Sequence, residues 1–444
     1  MRGACVWRWC AALLTLISLR GCTGDRFAPS TLREYLRSVV KDTLDQHYAD
    51  LNSRLDRIEA SLERIGQTGG SGLQIRSASR APHVVCNVAS WASFRSGRGK
   101  FTIDNIDIQA CTHLVYQYVG MDETSNELRS LNPTLDLGSF GNPSGGNYAR
   151  FTSLKKLKPS LKTIISVGGY LEGSEKFSNM AQDPAKRAKF VASVMEFLQK
   201  HNFDGLDMNW QHPTQRGGTP QDRTNFPVLL EELREAFRPR SWLLMASLSA
   251  LTSIADAGYD VPRISSAIDL LHMQGFDYHG VWDRRTGHNA PLDRVSGSVN
   301  YYLRMGADAS KLLLGIPLYG SSYLLTDPTR SDVGAPAAET AFKGPYTQLD
   351  GSIGYNELCE MRAEAVGAER WTKNWDDVAK VPYFVQDTRW VSIEDERSVT
   401  HKAALVQRFR LAGVALTTLD TDDFNGVCGQ KNVLMSAIIT ELKK

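Results

Sequence analysis

Eight short apolar runs, separated by stretches with helical periodicity, constrain the fold of this 444-residue chain more than any other feature. The runs are His83–Ala89, His113–Tyr118, Thr163–Val167, Phe203–Trp210, Leu243–Leu248, Leu270–Gly275, Leu312–Leu318 and Val414–Leu419. Between them lie amphipathic segments such as Ala188–His201 and Phe226–Phe237. Runs this short and this apolar read as strands buried on both faces, with the helices as crossovers. Eight such units predict a (β/α)8 barrel, the alternative being a doubly wound sheet. The stretch from Tyr319 to about Arg389 is long for one connection. With Tyr346, Ile353, Tyr355 and Leu358 it reads as a small inserted subdomain.

The N-terminal 82 residues obey different rules. Arg2 and Arg8 precede an uncharged run, Cys10–Leu19, followed by Gly21, Cys22, Thr23 and Gly24. That order of charge, apolar core and small residues predicts a secretory signal peptide over residues 1–24. The run is too short to span a bilayer as a helix. Removal of the leader keeps four of seven cysteines, Cys86, Cys111, Cys359 and Cys428, in an oxidising compartment. Residues 31–66 contain no Gly before Gly66. Leu44, Tyr48, Leu51, Leu55, Ile58, Leu62 and Ile65 alternate at spacings of four and three. This is the a/d seam of a coiled coil and predicts homo-oligomerisation through residues 44–65; a helix docked on its own domain is the alternative. A Gly/Ser-rich linker, residues 67–82, then leads into the main domain, 83–444. A net charge of +2 gives no electrostatic reason to expect nucleic acid or an anionic membrane as partner.

The chemistry centres on the fourth run, Phe203-Asp-Gly-Leu-Asp-Met-Asn-Trp-Gln-His-Pro213. Asp207, Asn209 and Gln211 recur with period two, so they project from one face of a strand, inward in a barrel. The last lies nearest the C-terminal mouth, where such barrels place their sites. The run resembles the DGxDxDxE motif of glycoside hydrolase family 18, the chitinases. Ser166-Val-Gly-Gly169, Thr286-Gly-His-Asn-Ala-Pro-Leu292, Leu314-Gly-Ile-Pro-Leu-Tyr-Gly320 and Leu419-Asp-Thr-Asp-Asp-Phe-Asn425 are similar to further family motifs, in the family's order. The resemblance runs from about Val84 to the C-terminus. It implies the (β/α)8 barrel with an α+β insertion after strand seven, over about 320–390, and disulfides Cys86–Cys111 and Cys359–Cys428.

It also implies what is missing. Family members that hydrolyse chitin end the motif in a glutamic acid that protonates the glycosidic oxygen, and here that place is held by Gln211. A carboxamide has no acidic proton to give. The family's substrate-assisted mechanism still requires that acid. Of the degenerate motif Asp204, Asp207, Asn209 and Gln211, the middle carboxylate of the relay is thus an amide. The sixth-strand MxYD corresponds to Gln274-Gly-Phe-Asp277, so Phe276 stands for the tyrosine that bonds the sugar acetamide. Thr417 stands where the family has a tryptophan floor, and Asn87-Val88 where it has an aromatic pair. These losses imply no catalytic residues and no hydrolysis of chitin. Cys111–Gly120, the Trp-Gln ending of the fourth run, Trp390–Asp395 and Val414–Leu416 look most like the imaginal disc growth factors, secreted chitinase-like proteins of insects. That group has a long insertion after the fourth strand, where this chain has only a short Gly217-Gly218 loop, and it lacks the heptad helix.

Candidate ligand-binding residues remain: Asp207, Trp210, Asp277, Tyr278, Trp282, Tyr346 and Tyr118, with Trp91 and Tyr170 as further aromatics at the mouth. Aromatic faces stack on sugar rings. Packing inside the barrel is an equal alternative for Trp210 and Tyr118. His212 and His279 read as structural, and no cofactor, phosphate loop or His/Cys cluster at metal spacing is expected. The expected partners are a chito-oligosaccharide or other glycan and an extracellular protein. The functions weighed are a binding-only growth, matrix or defence factor, a glycan-binding lectin, and a residual glycosidase using Asp207 or Asp277.

Overall fold

A computed structural model describes residues 81–138, 145–367 and 370–444. The expected signal peptide, coiled coil and nearly all of the linker lie outside those residues. Among the described residues, fourteen strands follow in chain order. They are β1 His83–Ala89, β2 His113–Met121, β3 Leu128–Ser130, β4 Lys162–Gly168, β5 Gly205–Asn209, β6 Leu243–Ser249 and β7 Leu270–Gln274. Then come β8 Leu312–Pro317, β9 Tyr319–Leu324, β10 Ser352–Gly354, β11 Thr372–Asp376, β12 Val381–Gln386, β13 Arg389–Ser392 and β14 Gly413–Thr417.

Eight of these close a parallel ring in the order β1-β14-β8-β7-β6-β5-β4-β2, with β2 returning to β1. The eight predicted runs are the eight barrel strands, and the doubly wound alternative falls because β1 pairs with both β2 and β14. Helices follow the strands. Pro184–His201 shows why one forms: Asp183 caps its first turn by accepting from the Ala185 and Lys186 amides, and Pro184 fits the first position. Phe190, Val194 and Leu198, four apart, bury one face against the barrel, and Asn202 ends the helix with φ 58°. Each buried side chain of this kind contributes about 2 kcal/mol.

The insertion spans β9 to β13 and is an antiparallel sheet ordered β10-β9-β13-β12-β11, with helix Tyr355–Glu364 on one face. Just past its last strand, Glu394 pairs with Lys402 of the following helix, Glu396–Arg408, at 2.8 Å, with side chains 2% and 0% exposed. Ser398 donates to the same carboxylate. Both implied disulfides are formed, with Cα–Cα distances of 6.0 Å for Cys86–Cys111 and 6.1 Å for Cys359–Cys428.

Candidate functional site: the barrel mouth

The inside of the ring is layered by the period of the strands. Val85, Val115, Ile164, Met245, Leu270, Leu313 and Ala415 form an apolar plug. Gly205 takes the β5 place, where a Cβ would meet the Leu243 carbonyl oxygen at 2.2 Å. Two residues further along each strand the character reverses. Asn87, Gln117, Ser166, Asp207, Ser247, His272 and Thr417 make a polar girdle around the interior, in which Gly315 takes the β8 place without a side chain. All but Thr417 are buried.

The girdle satisfies itself through lateral hydrogen bonds. Ser166 Oγ donates to Asp207 at 2.6 Å, and Ser247 Oγ approaches both carboxylate oxygens at 3.0 and 3.1 Å. His272 Nδ1 lies 3.0 Å from Ser247 Oγ. On the other side, Gln117 Nε2 donates to Asn87 Oδ1, and Asn87 Nδ2 donates to Leu416 O and Thr417 Oγ1. Burial pushes the Asp207 carboxyl up to about 6, against the lowering effect of its two serine partners. Burial holds the His272 imidazole neutral, down to about 3. Its Nε2 is buried without a hydrogen-bond partner. Gly315 lies over it, and a Cβ there would come within 2.8 Å of that nitrogen.

Above the girdle lies the mouth. The β2–β4 register slips between Gln117 and Val119, and this bulge re-aims Tyr118. Tyr118 stacks on Trp91 at 5.7 Å between ring centres. Asn209 Nδ2 donates to the Tyr118 hydroxyl at 3.4 Å, and Gln211 Nε2 donates to Asn209 Oδ1 at 2.8 Å. The end of the fourth barrel strand is therefore a chain of amides. No acidic proton enters it. Across the mouth, Tyr319 donates to Asp277 Oδ1 at 2.7 Å. Asn289 fixes both groups, accepting from the Asp277 amide and donating to the Tyr319 carbonyl. The walls raise the Asp277 pKa by desolvation, and the Tyr319 hydroxyl lowers it in part. Phe276 is 7% exposed and meets Tyr319 edge-on at 5.9 Å.

The remaining candidates separate. Trp282 stands 63% exposed on the rim, and Tyr170, 62% exposed, carries the Arg216 guanidinium 3.8 Å above its ring. Trp210 is corrected: it is fully buried between Phe177 and Phe226, with Nε1 donating to Ser174, and offers no face to a ligand. It follows Asn209 on the outward face of the strand, so strand alternation points it into the helix layer. Tyr278 is corrected on similar grounds. Its hydroxyl donates to Ser298 at 2.8 Å, which turns it toward helix Leu292–Arg304 and away from the mouth. Tyr346 is half-buried on the insertion, donating to Glu360 at 2.6 Å. Asp204 lies at the opposite end of β5, accepting from Thr163 and paired with Lys155. His212 approaches the Tyr259 hydroxyl at 3.5 Å, and His279 pairs with Asp283 at 2.9 Å. Among the described residues, Cys359, Cys428 and Asp423 lie close enough for one ion, but the sulfurs are bonded to each other and Asp423 accepts two backbone amides. Gln117, Ser247 and His272 were not singled out in the sequence. Their signal is a polar residue two positions after an apolar inward one, on the barrel strands β2, β6 and β7 that carry them.

The motif pattern on these strand ends matches the family model described as Glycosyl hydrolases family 18 over residues 83–422. The chain belongs to that family. Relatives of this family 18 chain include Probable chitinase 2 of Drosophila melanogaster, 40% identical over 361 residues, 78% of this chain and 73% of that protein. The Group IV chitinase of Ostrinia furnacalis superposes with a TM-score of 0.78 at 37% identity, over 82% of this chain and all of that one. Human YKL-39, described as a pseudo-chitinase with retained chitooligosaccharide binding properties, superposes at 0.73 with 31% identity, over 82% and 100%. The family thus holds both chitinases and a pseudo-chitinase among this chain's relatives.

Proposed function

We propose that this family 18 chain is a secreted, non-catalytic chitinase-like protein that holds a glycan at the barrel mouth without cutting it. The observation that carries the reading is the Gln211 carboxamide, pinned to Asn209 at 2.8 Å where a proton donor would be needed. Loss of a positioned general acid–base group costs about 10²–10⁴-fold in rate. The surviving carboxylates do not replace it. Asp207 is 1% exposed and engaged by two serines, and Asp277 is tied to Tyr319. The exposed faces of Trp282 and Tyr170 supply stacking surfaces for sugar rings. The relatives that bind chito-oligosaccharides make such a ligand, or another glycan, the first to test. The leader-like N-terminus and two disulfides support secretion. The likeness of Cys111–Gly120 to the imaginal disc growth factors supports an extracellular growth or signalling role, exerted through a protein partner.

The test is incubation of the purified chain with a fluorogenic chito-oligosaccharide beside a glycan array. Expected are release of fluorophore at the buffer rate and saturable glycan binding. Turnover that disappears in Asp207→Ala or Asp277→Ala would establish a residual hydrolase instead.

A further inference from the structure

We propose that the end of the barrel opposite the mouth is a docking surface for a linear sulfated polysaccharide. The inference concerns a different face from the glycan-holding mouth and does not rest on that reading.

In a parallel ring, every turn from a helix into the next barrel strand lies at the end opposite the mouth. Three successive turns of this kind, leading into the neighbouring strands β4, β5 and β6, are basic. The first is Leu154-Lys-Lys-Leu-Lys158 followed by Lys162, the second carries Lys200, and the third carries Arg238 and Arg240. A short lysine-rich run of this kind is a common element of polyanion-binding patches. The three turns are bonded to one another. Lys155 of the first donates to the Asn202 carbonyl of the second and pairs with Asp204 at 3.0 Å. The Leu243 amide, at the foot of the third, donates to the Asp204 carbonyl at 2.9 Å.

The carboxylates around these turns are already engaged. Asp204 is held by Lys155, Glu235 by Arg238 at 2.8 Å, and Asp269 by Arg234. Lys158 donates to the Ile108, Gln109 and Cys111 carbonyls, which ties its turn down without neutralising it. Lys156, Lys162, Lys200 and Arg240 are left over. All four are exposed, and none has a carboxylate partner among the described residues. The Arg240 guanidinium lies over the Trp242 ring, 5.2 Å from its centre, so it is presented from a fixed base. The chain's net charge of +2 hides this surplus, because exposed carboxylates such as Glu123, Glu127 and Asp283 lie at the mouth end. Complementing a helix dipole accounts for Lys200, in the last turn of its helix. It does not account for Lys162, which opens a strand, or for Arg240, which lies past the end of its helix.

Such a surface attracts anions, and its layout selects among them. Packed helices lie about 10 Å apart, so cations at their ends recur at roughly that interval along an arc. A polysaccharide with an anionic group on each disaccharide has a matching repeat. A membrane surface calls for apolar side chains to bury, and Leu157 is the one large apolar side chain exposed on this face among the described residues. Single-stranded nucleic acid calls for open aromatic platforms, and here the Trp242 ring is covered by Arg240.

Isothermal titration of the full chain with a heparin decasaccharide and with its desulfated counterpart tests this. Expected is saturable binding at physiological ionic strength, lost on desulfation and unchanged in the presence of the N-acetylglucosamine tetramer. Lys156→Gln, Lys162→Gln and Lys200→Gln together should weaken it by about tenfold or more, and should lower the slope of log affinity against log salt by roughly one for each lost contact. Their Tm should stay at the parent's value, since the three side chains have no partner to lose. Arg330→Gln with Lys431→Gln, which removes exposed cations elsewhere, should leave affinity and slope unchanged. Absence of binding, equal losses in the two variants, displacement by the N-acetylglucosamine tetramer, or tighter binding of duplex DNA or phosphatidylserine vesicles overturns this inference and leaves the reading of the mouth standing.

Discussion

Replacement of Asp207 by Asn should stabilise the protein at neutral pH and do so less in acid. Asp207 is fully enclosed in the polar girdle, and its pKa is raised from 3.8 to about 6. A raised carboxyl pKa means that the fold disfavours the charged form. The associated stability is complete below pH 3.8 and is lost as pH rises through 6. About two pH units at 1.36 kcal/mol each make a penalty of about 3 kcal/mol at pH 8, and the same linkage leaves about 1 kcal/mol at pH 4.5. Asn is nearly isosteric with the protonated acid and still bonds Ser166 and Ser247, so it escapes the penalty. An unfolding entropy of about 2.1 cal/mol/K per residue over roughly 360 residues converts these to rises in Tm of about 4 °C at pH 8 and about 1 °C at pH 4.5. Scanning fluorimetry of parent and Asp207→Asn across pH 4.5–8 reads this directly. A difference that does not change with pH, or a variant less stable than the parent at pH 8, would refute the account of a charge held against its will.

Other perturbations are as definite. Lys402→Met leaves Glu394 charged and enclosed, and should cost about 3–5 kcal/mol in chemical denaturation, most of it recovered by adding Glu394→Leu. Trp282→Ala should weaken glycan binding by about tenfold without moving Tm, since its ring is 63% exposed; unchanged affinity in titration would remove it from the site. A chain beginning at Gly72 should scatter light as a smaller particle than the full chain does per chain, through loss of the heptad seam; equal stoichiometry would remove the oligomer.

Much of the barrel was legible because parallel strands buried on both faces write themselves as continuous apolar runs, and eight of them leave few topologies. The insertion was legible only as excess length, since its sheet draws partners from segments as distant as β9 and β13. Period two places Gln211 on the inward face with Asp207 and Asn209, and the resemblance of its run to a family motif marks it as standing for an acid. Trp210 and Tyr278 share an ambiguity: a residue type that suits a ligand also suits a core. Alternation along β5 resolves it for Trp210, in favour of the packing alternative, whereas Tyr278 lies in the loop past β7, where only its bond to Ser298 shows which way it turns. Trp210 falls on the outward phase. The bulge that turns Tyr118 into the mouth leaves no signature in a single sequence, because it arises from the mismatch between two strands.

The seam of the ring has a consequence for how the protein is made. β1 finds one neighbour nearby in β2, but its other is β14, and the Asn87 amide is answered by Leu416 and Thr417 some 329 and 330 positions later. During translation the first barrel strand waits, with one edge bare, until β14 has left the ribosome more than three hundred residues later. For that interval it is a partner-seeking edge in a crowded compartment, and the cell's chaperones are the agents that must shield it.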